Sequence, residues 1–307
     1  WGFCLSQKQF EQMTEENYDI CIESTLNNGS LTYGELFIQG ETNNEILFSC
    51  YICHPSMCND NLSGVAIVTF IAKILKELKT KYSYRFLFIP ETIGAITWLS
   101  INEKNANKIK FGMVATCVGD YGHSTYKKTK HGDTYLDKIV EKVLVDTNEK
   151  FEIIDFFPWG SDERQFSSLG FNIPIGSLMR TPYADKKFPE YHTSADNLEF
   201  MNKESLNDSL IKYLKIINIF ENDEKYLNLN PKCEPQLGKR GLYQIIGGVK
   251  NQELTKKSLL WVLNQSDGTK SLLDISIMSK IDFKVILNAS KLLVDSNLLK
   301  KIEKDIE

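Results

Sequence analysis

The chain has 307 residues, 42% hydrophobic and 25% charged, with a formal net charge of −4. These values fit an ordinary globular protein with one large domain and one small one, and they argue against a disordered chain or one built to coat nucleic acid. No run approaches the ~18 uninterrupted apolar residues of a membrane span, so no membrane association is expected.

The chain opens WGFCLSQKQF, without a basic-then-apolar signal, and so abrupt a start predicts further fold upstream. Seven cysteines, odd in number and scattered, read as reduced thiols in the cytoplasm. Cys50, Cys53 and Cys58 are spaced loosely like a zinc finger. Cys50 and Cys53 sit on a predicted strand, however, where residues three apart face opposite ways, and no second pair follows.

In chain order, short apolar runs predict strands at YDICIES, GELFIQG, EILFSCYI, YRFLFIP, KFGMVATCVG and NIPIGSL. The stretch 18–43 has turn residues between two such runs and predicts a hairpin, part of an inserted subdomain. A helix is expected over Leu62–Lys79, where Val65, Ile67, Val68, Phe70, Ile71, Ile74, Leu75 and Leu78 form an apolar stripe and lysines collect at the end. Further helices are expected over Ile93–Asn105, Tyr135–Thr147, Asp162–Ser168 and Lys203–Glu221. Strands alternating with helices indicate a layered α/β domain, in which ligands gather at the carboxyl ends of the strands. His54, Glu91 and Asp120 each fall just past such an end.

After Glu221 the chain turns polar, with Pro231 and Pro235, and reads as a linker. Three short amphipathic helices follow, as in a helix-turn-helix or winged helix. The expected domains are therefore 1–230 and 231–307. From Lys239 on there are 12 basic and 8 acidic residues, and the third helix offers few Lys or Arg for phosphate contacts. Packing or protein interaction is expected of this module ahead of nucleic-acid binding. Whether the chain forms a homo-oligomer is left open.

Of the four histidines, His123 and His131 lie in GDYGHSTYKKTKHGDT, which reads as a surface loop. His54, in CHPSMCNDNLSG, and His192, in EYHTSADN, stand in polar settings that a core would not choose. With Asp60 they offer the imidazole and carboxylate donors that suit a metal, and Glu91 stands where a proton-transferring carboxylate would emerge.

Taken together, HPSMCNDNLSG, FLFIPETIG, WGSDERQF and YHTSADN resemble the co-catalytic zinc aminopeptidase family, which includes leucyl aminopeptidases, glutamate carboxypeptidases and glutaminyl cyclases. The order PETIG, PWGSDERQ, YHTSADNL, EPQLGKRGLY and a terminal winged helix is similar to a bacterial group of aminopeptidase-like proteins over nearly the whole chain. The resemblance implies a three-layer α/β/α domain with a mixed, mostly parallel sheet, plus a carboxyl-terminal winged helix. It implies His54 and His192 as metal ligands, Asp60 as a carboxylate bridging two metals, and Glu91 as general base. Ser161, Asp162 and Arg180 fall where substrate is positioned.

Two positions depart from the pattern. Thr92 stands where a ligand glutamate would follow the base, and Cys117 lies near the place of an aspartate for the second metal; Cys117, Asp120 and Glu163 are the candidates for the missing donors. One or two zinc ions are both compatible with this set. The expected activity is hydrolysis of a small peptide or aminoacyl amide. The alternatives are a zinc amide deacylase or cyclase on a non-peptide substrate, or a catalytically silent regulator acting through the winged helix.

Overall fold

Seven strands form the central sheet: β1 (Gly34–Ile38), β2 (Glu45–Tyr51), β3 (Ser83–Ile89), β4 (Ile109–Ala115), β5 (Ser124–Lys127), β6 (Phe151–Ile154) and β7 (Ile175–Met179). The computed structural model describes residues 4–181, 189–242 and 252–302. The chain divides into two compact units, Trp1–Leu31 and Thr32–Glu307. The first holds one short helix, α1 (Gln7–Glu11), closed by a capping box between Ser6 and Gln9, with no buried residue.

The strand order is β1–β3–β2–β4–β7–β5–β6. β2 runs parallel to β3 and β4, β4 to β7, and β5 to β6; β1 pairs antiparallel with β3, and β5 with β7. The sheet is thus mixed and mostly parallel. β2 is buried along its whole length, as expected of a strand covered on both faces.

Alternate residues of β2 serve the two faces. Ile46, Phe48 and Cys50 pack with Ile67, Val68, Ile71 and Leu75 of α2 (Gly64–Lys76), and with α5 (Tyr135–Asp146) and α7 (Lys203–Asn222). Leu47 turns the other way, toward Trp98 of α3 (Ile93–Ile101) and Phe166 of α6 (Glu163–Phe166). Phe48 stacks on Phe86 at 5.8 Å. Each such buried side chain contributes about 1.5–3 kcal/mol. Glu103–Ala106 forms a short α4.

By length and composition Cys58–Lys76 could cross a membrane; in this fold its apolar face belongs to the core.

Beyond α7, a three-stranded antiparallel sheet of order β10–β8–β9 combines β8 (Lys225–Asn228), β9 (Asp267–Ser271) and β10 (Leu299–Lys301). Around it lie α8 (Gln252–Gln265), α9 (Leu272–Ser279) and α10 (Phe283–Asp295). The expected linker therefore carries the middle strand of this sheet.

Acidic residues tie the module to the layered domain. Asp223 accepts from Tyr135 Oη and from Leu273 N, both at 2.8 Å. Glu224 takes Lys81 Nζ at 2.5 Å and Lys301 Nζ at 3.2 Å. Asp146, at the end of α5, lies beside the backbone of Phe283, at the first turn of α10.

Two expectations require correction. The hairpin over 18–43 does not form: residues 12–33 carry no strand, and β1 pairs with β3. Alternation of apolar residues promised a strand at YDICIES, but Tyr18, Ile20 and Ile22 stay exposed without a buried face to occupy. GDYGHSTYKKTKHGDT is not a surface loop throughout, because it contains β5, buried at all four positions. Its polar residues misled because Lys127 is buried with a partner.

Candidate metal centre

Because β2, β3, β4 and β7 are parallel, their carboxyl ends share one edge of the sheet. His54 follows β2, Glu91 follows β3, Cys117 and Asp120 follow β4, and Arg180 follows β7.

Asp60 sits in an irregular turn, Cys58–Ser63, where Asp60 (φ −112, ψ 80) and Asn61 (φ −142, ψ 32) leave helical geometry. The Asp60–Asn61 peptide is cis. Both flanking asparagines bind the turn to the end of β4. Asn61 Nδ2 donates to Ala115 O at 2.9 Å, and Asn59 Nδ2 donates to Asp120 Oδ2 at 3.0 Å. Glycine is required where the next helix starts: a Cβ on Gly64 would lie 2.2 Å from the Ala115 carbonyl oxygen. Asp196, fully buried, completes the turn by accepting from the N–H groups of Cys58 (3.1 Å), Asn59 (2.6 Å) and Asp60 (2.9 Å). It lies four residues after His192, so it locks the segments that carry Asp60 and His192 together.

His192 takes a left-handed backbone conformation (φ 57), and its ring stacks on Tyr191 at 3.8 Å. Its ring centroid stands 5.0 Å from that of His54. One donor atom from each of His54, Asp60 and His192 lies within 4.8 Å of the other two.

A test of fit comes from the pair at its centre. His192 Nε2 is 3.1 Å from Asp60 Oδ2, yet that oxygen is buried and has no hydrogen-bond donor aligned with it. Two donors separated by ~3.3 Å are what a tetrahedral ion with ~2.0–2.1 Å bonds would need. A cation satisfies both atoms, so the residues present fit a divalent metal. Burial pushes the Asp60 carboxyl above its usual range, while the Tyr51 hydroxyl and the two imidazoles pull it back.

Glu91 is half-buried beside this cluster. Burial raises its carboxyl above the ordinary glutamate value; Ser161 opposes the shift, and the charges of Asp60 and Glu163 add to it. The Glu91 N–H donates to Cys53 Sγ at 3.1 Å, and that sulfur is 3.3 Å from His54 Nδ1. Asp162 Oδ1 accepts from Thr92 N at 2.6 Å, fixing the backbone next to Glu91. Burial pushes Asp162 up to about 7. Ser161 is buried, and its Oγ has no hydrogen-bond partner of ordinary geometry.

The other candidates are held elsewhere. Arg180 does not join the cluster. Its guanidinium donates to Gly122 O at 2.8 Å and to Asp208 Oδ2 of α7 at 2.7 Å. Glu163 is paired with Lys127 Nζ at 2.7 Å, both fully buried. Asp120 accepts from Gly122 N at 2.7 Å and Thr181 Oγ1 at 2.5 Å, besides Asn59. Cys117 is buried near Asp60, and burial drives its thiol upward. Among the described residues, none of these belongs to the three-residue cluster.

Sequence reading missed Tyr51, Thr116, Arg164 and Lys127. Tyr51 donates its hydroxyl to Asp60 Oδ1 and lies 2.6 Å from Thr116 Oγ1; Arg164 Nη2 donates to Thr92 Oγ1 at 3.0 Å. Tyr51 closes an apolar strand, and nothing local distinguishes it from core. The SADN that follows His192 was the one available signal for Asp196.

Comparison with known proteins agrees with this layout. Residues 9–223 match a family described as a domain of unknown function (DUF4910), and residues 224–301 match a winged helix-turn-helix family. A Clostridium acetobutylicum protein, provisionally named as a polysaccharide biosynthesis protein with an aminopeptidase-like domain, is 58% identical over 98% of this chain and 69% of its own length. The crystal structure of a protein from Clostridium acetobutylicum, provisionally described as a peptidase, superposes with a TM-score of 0.88 at 56% identity, over 98% of this chain and 68% of that one. A zinc aminopeptidase from Bacillus subtilis shares the fold, with a TM-score of 0.52 at 16% identity, over 61% of this chain and 49% of that one. The strand order, the edge on which the histidines meet and these likenesses lead to one conclusion: the chain belongs to the DUF4910 family, an aminopeptidase-like fold followed by a winged helix-turn-helix.

Proposed function

We propose that this protein is a zinc-dependent hydrolase of amide bonds, an aminopeptidase that releases an N-terminal residue from a small peptide or aminoacyl amide. The observation that carries the proposal is the meeting of His192 Nε2 and the donor-less Asp60 Oδ2 at 3.1 Å, with His54 beside them. His54, Asp60 and His192 would hold the ion, which when bound supplies acidification of water to a pKa of ~7 and polarisation of a carbonyl.

The chain's own residues do the rest. A carboxylate oxygen of Glu91 takes the proton from the attacking water and delivers it to the departing amine. Asp162 holds the Thr92 N–H and so fixes where Glu91 points. Ser161 keeps a hydroxyl toward Glu91.

The purified protein is expected to hydrolyse leucinamide or a leucyl anilide with zinc, to lose that activity to a chelator and to regain it when zinc is restored. Zinc-loaded protein inert toward every aminoacyl amide in a broad panel would sink the aminopeptidase reading. A second reading keeps the centre and changes the substrate to an amide on a non-peptide scaffold. It is favoured by the polysaccharide biosynthesis named for the Clostridium acetobutylicum relative, and N-acyl amino sugars in the same panel separate the two.

The winged helix is proposed to pack, not to read DNA. Recognition helices present their N-terminal residues to base edges, whereas the first turn of α10 lies against Asp146 of the layered domain. The intact protein is expected to leave duplex DNA unshifted at ~150 mM salt; tight binding that weakens steeply with salt would overturn this.

A further inference from the structure

We propose that the centre takes a single divalent ion and that Tyr51 is the residue that keeps it so; the inference rests on the metal-dependent reading above. A second ion sharing Asp60 would need that carboxylate's other oxygen. Oδ1, however, is already bound by the Tyr51 hydroxyl.

The hydroxyl is not free to leave. Tyr51 is the last residue of β2 and is 3% exposed. Its Oη is pinned on the far side by Thr116 Oγ1 at 2.6 Å, at the end of the neighbouring β4. Two parallel strands thus place a phenol and a threonine hydroxyl against the back of the ligand carboxylate. Oδ2 is the oxygen that faces His192 Nε2.

Of the other donors a second ion would call on, Thr92, Asp120 and Cys117 lie within their own contacts, and Glu163, with one oxygen on Lys127, stands outside the three-residue group. Thr92, a hydroxyl where a carboxylate would be needed, receives Arg164 Nη2 at 3.0 Å. Both oxygens of Asp120 accept hydrogen bonds, Oδ2 from Asn59 at 3.0 Å and Oδ1 from Gly122 N at 2.7 Å. Cys117 Sγ lies 3.4 Å from the Thr116 hydroxyl oxygen, beneath the Tyr51–Thr116 pair. Among the described residues, His54, Asp60 and His192 form the single group of three metal-donor side chains.

Tyr51 is therefore a positioning residue. Its hydrogen bond holds Asp60 so that one oxygen points at the ion, and partners of this kind are typically worth about 10- to 100-fold in metal affinity.

The test is a zinc titration of the metal-stripped chain, read by native mass spectrometry for stoichiometry and by competition with a chromogenic chelator for affinity. One ion per wild-type chain is expected, with binding about 10- to 100-fold weaker in Tyr51→Phe. Thr116→Val should weaken binding in the same direction by less, and it serves if Tyr51→Phe does not fold. Two ions bound tightly by the wild type would overturn the inference, and so would unchanged affinity in the folded variants. A chain that binds no zinc would overturn the metal-dependent reading itself, an outcome distinct from either.

Discussion

Replacing Glu91 with glutamine is expected to lower kcat by about 100- to 10,000-fold, the usual worth of a positioned acid–base group, while zinc stays bound. The amide keeps the shape and the hydrogen-bonding reach of the side chain but cannot hold the transferred proton. KM should change little, because the backbone around Glu91 is fixed by Cys53 and Asp162 whichever side chain is present. The pH profile gives the sign. Burial raises the Glu91 carboxyl above the ordinary 4.5, and the base must be ionised to act. Activity should therefore fall away, as pH is lowered, at a pH above that ordinary value. In the glutamine variant this limb should vanish from the residual rate. Full turnover in a zinc-loaded Glu91→Gln protein would remove Glu91 from the mechanism.

Lys127→Met is expected to destabilise the protein by about 3–5 kcal/mol, the range for breaking a buried ion pair from one side. Lys127 is buried in β5, donates to Glu163 Oε1 at 2.7 Å and to Trp159 O at 2.6 Å, and lies 3.9 Å from the centroid of Phe157. Methionine fills a similar volume but leaves Glu163 charged and alone, with its second oxygen already without a partner. The loop it anchors carries Ser161 and Asp162, so catalysis should suffer along with stability. A double variant, Lys127→Met with Glu163→Leu, should recover most of the stability, since neither charge then remains. Urea denaturation of the four proteins in that cycle measures this directly. Equal losses in the single and double variants would show that the pair is not what stabilises this loop.

These two residues mark the limits of sequence reading in opposite ways. The place of Glu91 at the carboxyl edge of the sheet was legible because it follows a strongly apolar strand and a proline. Lys127 was not, because a lysine among KKTK carries the local signature of solvent. Only a partner 36 residues away, brought in by the turn into α6, makes its burial tolerable. The partner of Arg180 was hidden for a related reason: its position after β7 was anticipated, but the ion pair with Asp208 on α7, 28 residues further along, was not. Apolar period-2 runs located the central strands β2, β3, β4 and β7. The short strands β5, β6, β8, β9 and β10 were missed, being too brief or too polar for periodicity to register.

The sequence alone determined which side chains are capable of chemistry and the layered class that carries them, because hydrophobic periodicity and scarce residues such as four histidines are properties of the chain itself. Tertiary structure decided which of those side chains meet. The joining of His54 to His192 across 138 positions, the Asp196 clamp on the Asp60 turn, and the Tyr51 hydroxyl against Asp60 all arise where parallel strands end together. Hydrogen bonds and ion contacts act over a few ångströms of space, and nothing in the order of residues encodes that distance until the sheet has formed.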